Sequence, residues 1–169
     1  MKTIEELKNS IIDIIYIIEN MIRENGLYCL LGEAKVGKSA LALQIANSVC
    51  NGIPFLNLKT NKTPILYLST EMNPSETISR INFMKFNLKE NDFLYTFPKD
   101  NMTQLSILKV EKEISEFKEK YNGKLVFIDM FNGINFGSYY DLNNYQDMSQ
   151  NIFPQLRRLC NNYNVTIII

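Results

Sequence analysis

The run Gly32-Glu33-Ala34-Lys35-Val36-Gly37-Lys38-Ser39 constrains this chain more than any other stretch. It fits G-x-x-x-x-G-K-[ST], in which each fixed position answers a physical need. The glycines let the backbone curl so that successive N–H groups point inward at phosphate oxygens. Lys38 sets a positive charge beside the β- and γ-phosphates, and the Ser39 hydroxyl suits Mg2+. The context supports the motif. Leu27 to Leu31 is a compact apolar run ended by Gly32, as in a strand buried on both faces. From Lys38 the pattern turns helical, with Leu41, Ile45 and Val49 recurring at i+4 and Gly52 and Pro54 marking the stop. Ala40 lies in the first helical turn, whose dipole also favours phosphate. The candidate cradle is therefore Gly32 to Ala40. Lys35 can touch a phosphate or simply face solvent.

Elsewhere, short apolar runs alternate with longer helical patterns, the signature of an α/β fold with a mainly parallel sheet flanked by helices. Ile65 to Ser69 reads as a strand leading into Asn73-Pro74-Ser75-Glu76. There Asn73 caps a helix, Pro74 suits its first turn and Glu76 completes a capping box. Phe93 to Phe97 reads as a further short strand. Ile107, Val110, Ile114, Phe117 and Tyr121 form one helical stripe, stopped at Gly123. Lys124 to Ile128 is a strand ending on Asp129. Met148, Ile152, Leu156, Leu159 and Tyr163 mark another helix, in which Pro154 predicts a kink or two helical pieces. Val165 to Ile169 is a final β-branched strand. Ile4 to Glu24 has two readings: one amphipathic helix, or a helix to about Ser10 followed by an extended apolar stretch. The chain divides into a lead-in segment, 1–25, and a core, 26–169.

A nucleotide held with Mg2+ needs a carboxylate beyond the phosphates, and Asp129 closes its apolar run at the expected place. Aspartate is also common where a strand turns, so a structural role stands beside that one. Hydrolysis needs a group that orients or deprotonates the attacking water. Glu71, at the end of Leu66-Tyr67-Leu68-Ser69-Thr70, is the candidate if its strand lies beside that of the phosphate loop. Its alternative is a helix-start residue complementing the dipole. ATP and Mg2+ are the expected ligands.

Composition excludes several classes. Lys and Arg number 18 and Asp and Glu 18, so no global basic field draws in nucleic acid. Histidine is absent, which removes imidazole bases and zinc ligands. Cys29, Cys50 and Cys160 contain no CxxC pair and read as buried thiols in a reducing compartment. The most apolar stretch, Ile11 to Ile18, is far shorter than the roughly 20 residues of a spanning helix and contains Asp13. No signal-peptide pattern is present, so a cytoplasmic protein is expected.

The phosphate loop followed by Ala40-Leu41-Ala42-Leu43-Gln44-Ile45-Ala46 resembles the RecA-like P-loop ATPases, especially the RepA and DnaB group of replicative helicase domains. Leu66-Tyr67-Leu68-Ser69-Thr70-Glu71-Met72, with Arg80 beyond it, is similar to that group's second motif. The resemblance runs from about Gly26 to the last residue and implies a RecA-like NTPase. It further implies Glu71 and Lys38 as catalytic residues, Ser39 and Asp129 around Mg2+, and a homo-oligomeric ring or filament with a finger residue supplied by a neighbour. Ala34 replaces a frequent proline. The family's strand corresponding to Val165 to Ile169 is followed by a sensor residue, a DNA-contacting loop and further strands, so a core incomplete at its C-terminal end is expected, with a hydrophobic strand exposed as an edge. Single-stranded DNA is a candidate partner through those loops or through Phe131 to Leu142, where Phe136, Tyr139 and Tyr140 suit base stacking. That segment lacks Lys and Arg, and its bland reading is a surface loop packed by its own aromatics. Arg157 and Arg158 read as a solvated helix face. Three functions follow in order: a motor-type ATPase acting on single-stranded DNA, a nucleotide-dependent switch with little turnover, and a small-molecule kinase, which the absence of an arginine-rich lid between Lys85 and Lys120 disfavours.

Overall fold

A computed structural model describes residues 3–9, 14–88, 92–98, 104–137 and 140–169. A short helix, α1 (Ile4–Asn9), precedes a hairpin of β1 (Tyr16–Ile18) and β2 (Ile22–Arg23). The second reading of the N-terminal segment is thus the better one, although Ser10 to Asp13 fall outside the described residues. β3 (Leu27–Tyr28) runs through the phosphate loop into α2 (Lys38–Asn51). Then come β4 (Ile65–Ser69), α3 (Pro74–Phe83), β5 (Phe93–Thr96), β6 (Leu105–Ser106), α4 (Ile107–Tyr121) and β7 (Leu125–Asp129). A 3-10 turn at Phe131–Gly133 leads to β8 (Ile134–Asn135). Next follow α5 (Tyr145–Asp147), a π-helical turn at Met148–Ile152, α6 (Phe153–Tyr163) and β9 (Thr166–Ile168).

Five strands form one parallel sheet in the order β3-β9-β7-β4-β5. Alternation along the central strands divides the core in two. Ile65, Tyr67, Leu125 and Phe127 face α2 and the β1–β2 hairpin, where Ile17, Ile18, Ile45 and Val49 complete one cluster. Leu66, Leu68, Val126 and Ile128 face α4 and α6, meeting Val110, Ile114, Phe117, Leu156 and Leu159. Each such aliphatic side chain contributes about 1.5–3 kcal/mol by leaving water.

Two expectations about strands are corrected here. β9 does not form a hydrophobic edge, because it lies between β3 and β7, and the edges are β3 and β5. The run Leu27 to Leu31 is paired only at Leu27 and Tyr28, both half-buried, while Cys29 is exposed and Leu31 is 90% exposed. An edge strand has one neighbour, so it cannot be covered as a central strand is. Leu41 is also exposed, and the buried stripe of α2 runs instead through Ala42, Ile45, Ala46 and Val49.

Helix ends are set locally. Gly52 takes φ 66° after α2 and donates back to Ser48 and Val49 carbonyls. Asn73 accepts from the Glu76 N–H while the Glu76 carboxylate accepts from that of Asn73, the reciprocal box at the start of α3. Ser106 caps α4, and Asn122 in the left-handed region ends it. Pro154 sits in the first turn of α6, directly after the π-helical turn, so the expected interruption is present.

Candidate nucleotide site

The loop between β3 and α2 has the backbone its sequence demands. Gly37 takes φ 97° and an added Cβ there meets nothing, so conformation rather than space requires glycine. Lys35 is also left-handed, at φ 66°, a strained state for a residue with a side chain. The Leu41 N–H closes the first helical turn on the Gly37 carbonyl at 2.9 Å. The N–H groups preceding it have no partner within the helix and form an anion-facing end. Lys38 spans the loop, its Nζ donating to the carbonyls of Gly32 at 2.8 Å and Glu33 at 2.7 Å. Glu33, Ala34, Lys35 and Val36 are exposed, while Ser39 and Ala40 are half-buried at the helix start.

Asp129 ends β7 two strands away from β3 and is half-buried. Its Oδ2 accepts a hydrogen bond from the Tyr67 hydroxyl at 2.5 Å. Burial first, and then the Asp129 charge, push the Tyr67 phenol well above its usual range, so it remains a donor. The turns that follow β4 and β7 are also tied together. The Thr70 N–H donates to the Asp129 carbonyl at 2.7 Å. The Thr70 hydroxyl donates to the Met130 carbonyl at 2.7 Å and accepts from its N–H at 3.0 Å. Gly133 packs directly on that side chain.

Glu71 is exposed in the turn after β4, two residues beyond Ser69, the register partner of Asp129. Its strand is not beside that of the phosphate loop, as the sequence reading required, because β9 and β7 intervene. The Thr70 hydrogen bonds fasten the turn that carries Glu71 to the Asp129 turn. The next residue is held as well: the Met72 carbonyl accepts from Ser69 at 2.9 Å and from Tyr95 at 2.6 Å. Tyr95 in turn accepts from Thr77 on α3 at 2.9 Å.

A cavity of about 300 Å3 opens at this end of the sheet, lined by Gly32, Lys38 and Asp129 with Phe127, Met130 and Phe131 among its apolar walls. It joins the phosphate loop to the Asp129 strand, while Glu71 lies outside it. The donor set fits magnesium carried by a polyphosphate. Ser39 and Asp129 offer hard oxygens, and among the described residues there is no group of three His, Cys, Asp or Glu side chains that could hold a metal alone. Mg2+ is commonly bound through one or two carboxylates plus phosphate oxygens.

The aromatic segment after Asp129 offers less than its sequence promised. Phe136 is buried against Phe131, with ring centroids 5.4 Å apart, so it is not available to stack on a base. Tyr140 is exposed, and Tyr139 lies outside the described residues. Arg80, Arg157 and Arg158 are exposed. The described residues contain no helix long and apolar enough to cross a membrane. Sequence reasoning missed Tyr67, Thr70 and Gly133. The one available signal was a tyrosine within a strand buried on both faces, whose hydroxyl needs a partner.

The family model described as AAA domain matches residues 3–169. Among solved structures, the chain is similar to a KaiC-like protein of the hyperthermophilic archaeon Pyrococcus horikoshii OT3. The identity is 15% and the TM-score 0.56, over 90% of this chain and 63% of that one. This chain therefore spans less than two thirds of that protein. The likeness lies in the fold, a RecA-like α/β arrangement with a parallel sheet flanked by helices. No curated protein is matched by the sequence.

Proposed function

The chain belongs to the AAA domain family of P-loop ATPases, and from that premise we propose that it binds ATP with Mg2+ in the Gly32–Ser39 cradle and hydrolyses it. One observation carries the reading: Lys38, at the start of α2, and Asp129, at the end of β7, line the same cavity beside a left-handed Gly37 loop. In this reading the backbone N–H groups at the start of α2 hold the phosphates, and Lys38 exchanges its two carbonyl partners for phosphate oxygens. Ser39 and Asp129 hold the metal, which when bound draws charge from the phosphates. Glu71 orients and deprotonates the attacking water from the turn that Thr70 ties to the Asp129 turn.

The finer role follows the resemblance to replicative helicase domains. Several copies of the chain assemble with ATP between neighbours, a finger residue comes from the next copy, and hydrolysis is coupled to movement on single-stranded DNA. A second reading, a nucleotide-dependent switch with little turnover, is favoured by the exposed Glu71 outside the cavity.

Binding of a fluorescent ATP analogue and phosphate release, each with and without oligo-dT, separate these readings. Lys38→Ala is expected to lose binding. Glu71→Gln is expected to bind normally and to turn over about 10²–10⁴-fold more slowly. Undiminished hydrolysis by Glu71→Gln would overturn its assignment as base, and turnover indifferent to DNA would favour the switch.

A further inference from the structure

Tyr67 sits where a purely apolar residue is expected. It lies at the middle of β4, between β7 and β5, and is fully buried. Its ring stacks on Phe127 and Tyr95, at centroid distances of 5.5 Å and 6.1 Å, and meets Phe93 at 5.9 Å. Phenylalanine would fill the same volume without bringing a polar atom into the core. A buried hydroxyl is costly unless paired, and this one is paired with Asp129 Oδ2. The carboxylate it reaches stands at the end of the neighbouring strand, two residues beyond Phe127, the register partner of Tyr67.

We propose that Tyr67 is a positioning residue for Mg2+ binding: by holding Asp129 Oδ2 it fixes the carboxylate plane and leaves Oδ1 for the metal carried by the nucleotide. This rests on Asp129 as the metal carboxylate. A carboxylate at a half-buried strand end has a soft terminal torsion. One charge-assisted hydrogen bond from a rigid, fully packed ring removes that freedom before the metal arrives. Partners of this kind set metal affinity without touching the metal.

The test is a Mg2+ titration of fluorescent ATP-analogue binding to the full chain, alongside thermal melts. Tyr67→Phe is expected to raise the Mg2+ concentration at half-maximal binding about 10-fold, with binding in EDTA unchanged. Asp129→Asn is expected to shift the midpoint at least as far, and adding Tyr67→Phe to it is expected to change nothing more. Phe93→Leu, which loosens the packing around the same ring, is expected to lower the melting temperature and leave the Mg2+ midpoint in place. A shift with Asp129→Asn and none with Tyr67→Phe overturns the role of Tyr67 and leaves that of Asp129 standing. No shift with either overturns both. Equal shifts in Tyr67→Phe and Phe93→Leu reduce the effect to packing and overturn the positioning role.

Discussion

Replacing Gly133 by alanine strikes at the tie between the Glu71 and Asp129 turns. An added Cβ would lie 2.1 Å from Thr70 Oγ1, 2.2 Å from its Cβ and 2.8 Å from its Cγ2. Carbon contacts are comfortable at about 3.5–4.0 Å, so the Thr70 side chain must withdraw by about 1 Å or more. That movement breaks the paired hydrogen bonds with Met130. Overpacking of this kind costs about 1–3 kcal/mol, and each lost hydrogen bond adds about 1 kcal/mol. A total of about 3–5 kcal/mol corresponds to a fall in Tm of about 6–20 °C for a chain of this length. Urea and thermal unfolding followed by circular dichroism measure it. Thr70→Gly creates the missing space, so the double variant is expected to be no less stable than Thr70→Gly alone. A Gly133→Ala protein melting within about 2 °C of the parent, or strictly additive costs in the double variant, would refute the reasoning.

Thiol chemistry gives two further outcomes. Cys29 is exposed while Cys50 and Cys160 are buried, so a disulfide reagent is expected to label one thiol quickly and the other two only as the protein unfolds. Burial first, with Asp92 adding to it, pushes the Cys50 thiol up to about 12 from an ordinary 9.0. Since the folded value is the higher, this stabilisation is complete below pH 9 and declines as pH rises from 9 toward 12. Melts across that range are expected to fall more steeply for the parent than for Cys50→Ala. Asn73→Ala removes the side-chain half of the α3 capping box and is expected to cost about 1 kcal/mol in urea unfolding, with nucleotide affinity unchanged.

Legibility in the sequence followed the range of the physics involved. The phosphate loop, the capping box at Asn73 and Glu76 and the strand ending on Asp129 depend on neighbours along the chain, and each could be read directly. Strand order depends on pairing between distant segments. That is why the sequence puts Glu71 one strand from the phosphate loop when two strands intervene, and why β9 reads as an edge. Cys29 and Leu31 are exposed against expectation for the same reason, since an apolar run does not disclose how many neighbours it will have. Tyr67 was hidden by its company. In a strand buried on both faces every residue is large and apolar, and only the hydroxyl marks this one out.

Lys38 carries a last consequence. With its ammonium already bonded to the Gly32 and Glu33 carbonyls, the loop contains its own placeholder for a ligand. Any polyphosphate has to displace that internal pair, and the displacement is identical for every nucleotide, whatever its base. The lysine therefore sets a common threshold for occupancy and has no voice in selection. Choice among nucleotides must be exercised by surfaces that touch the base or the sugar.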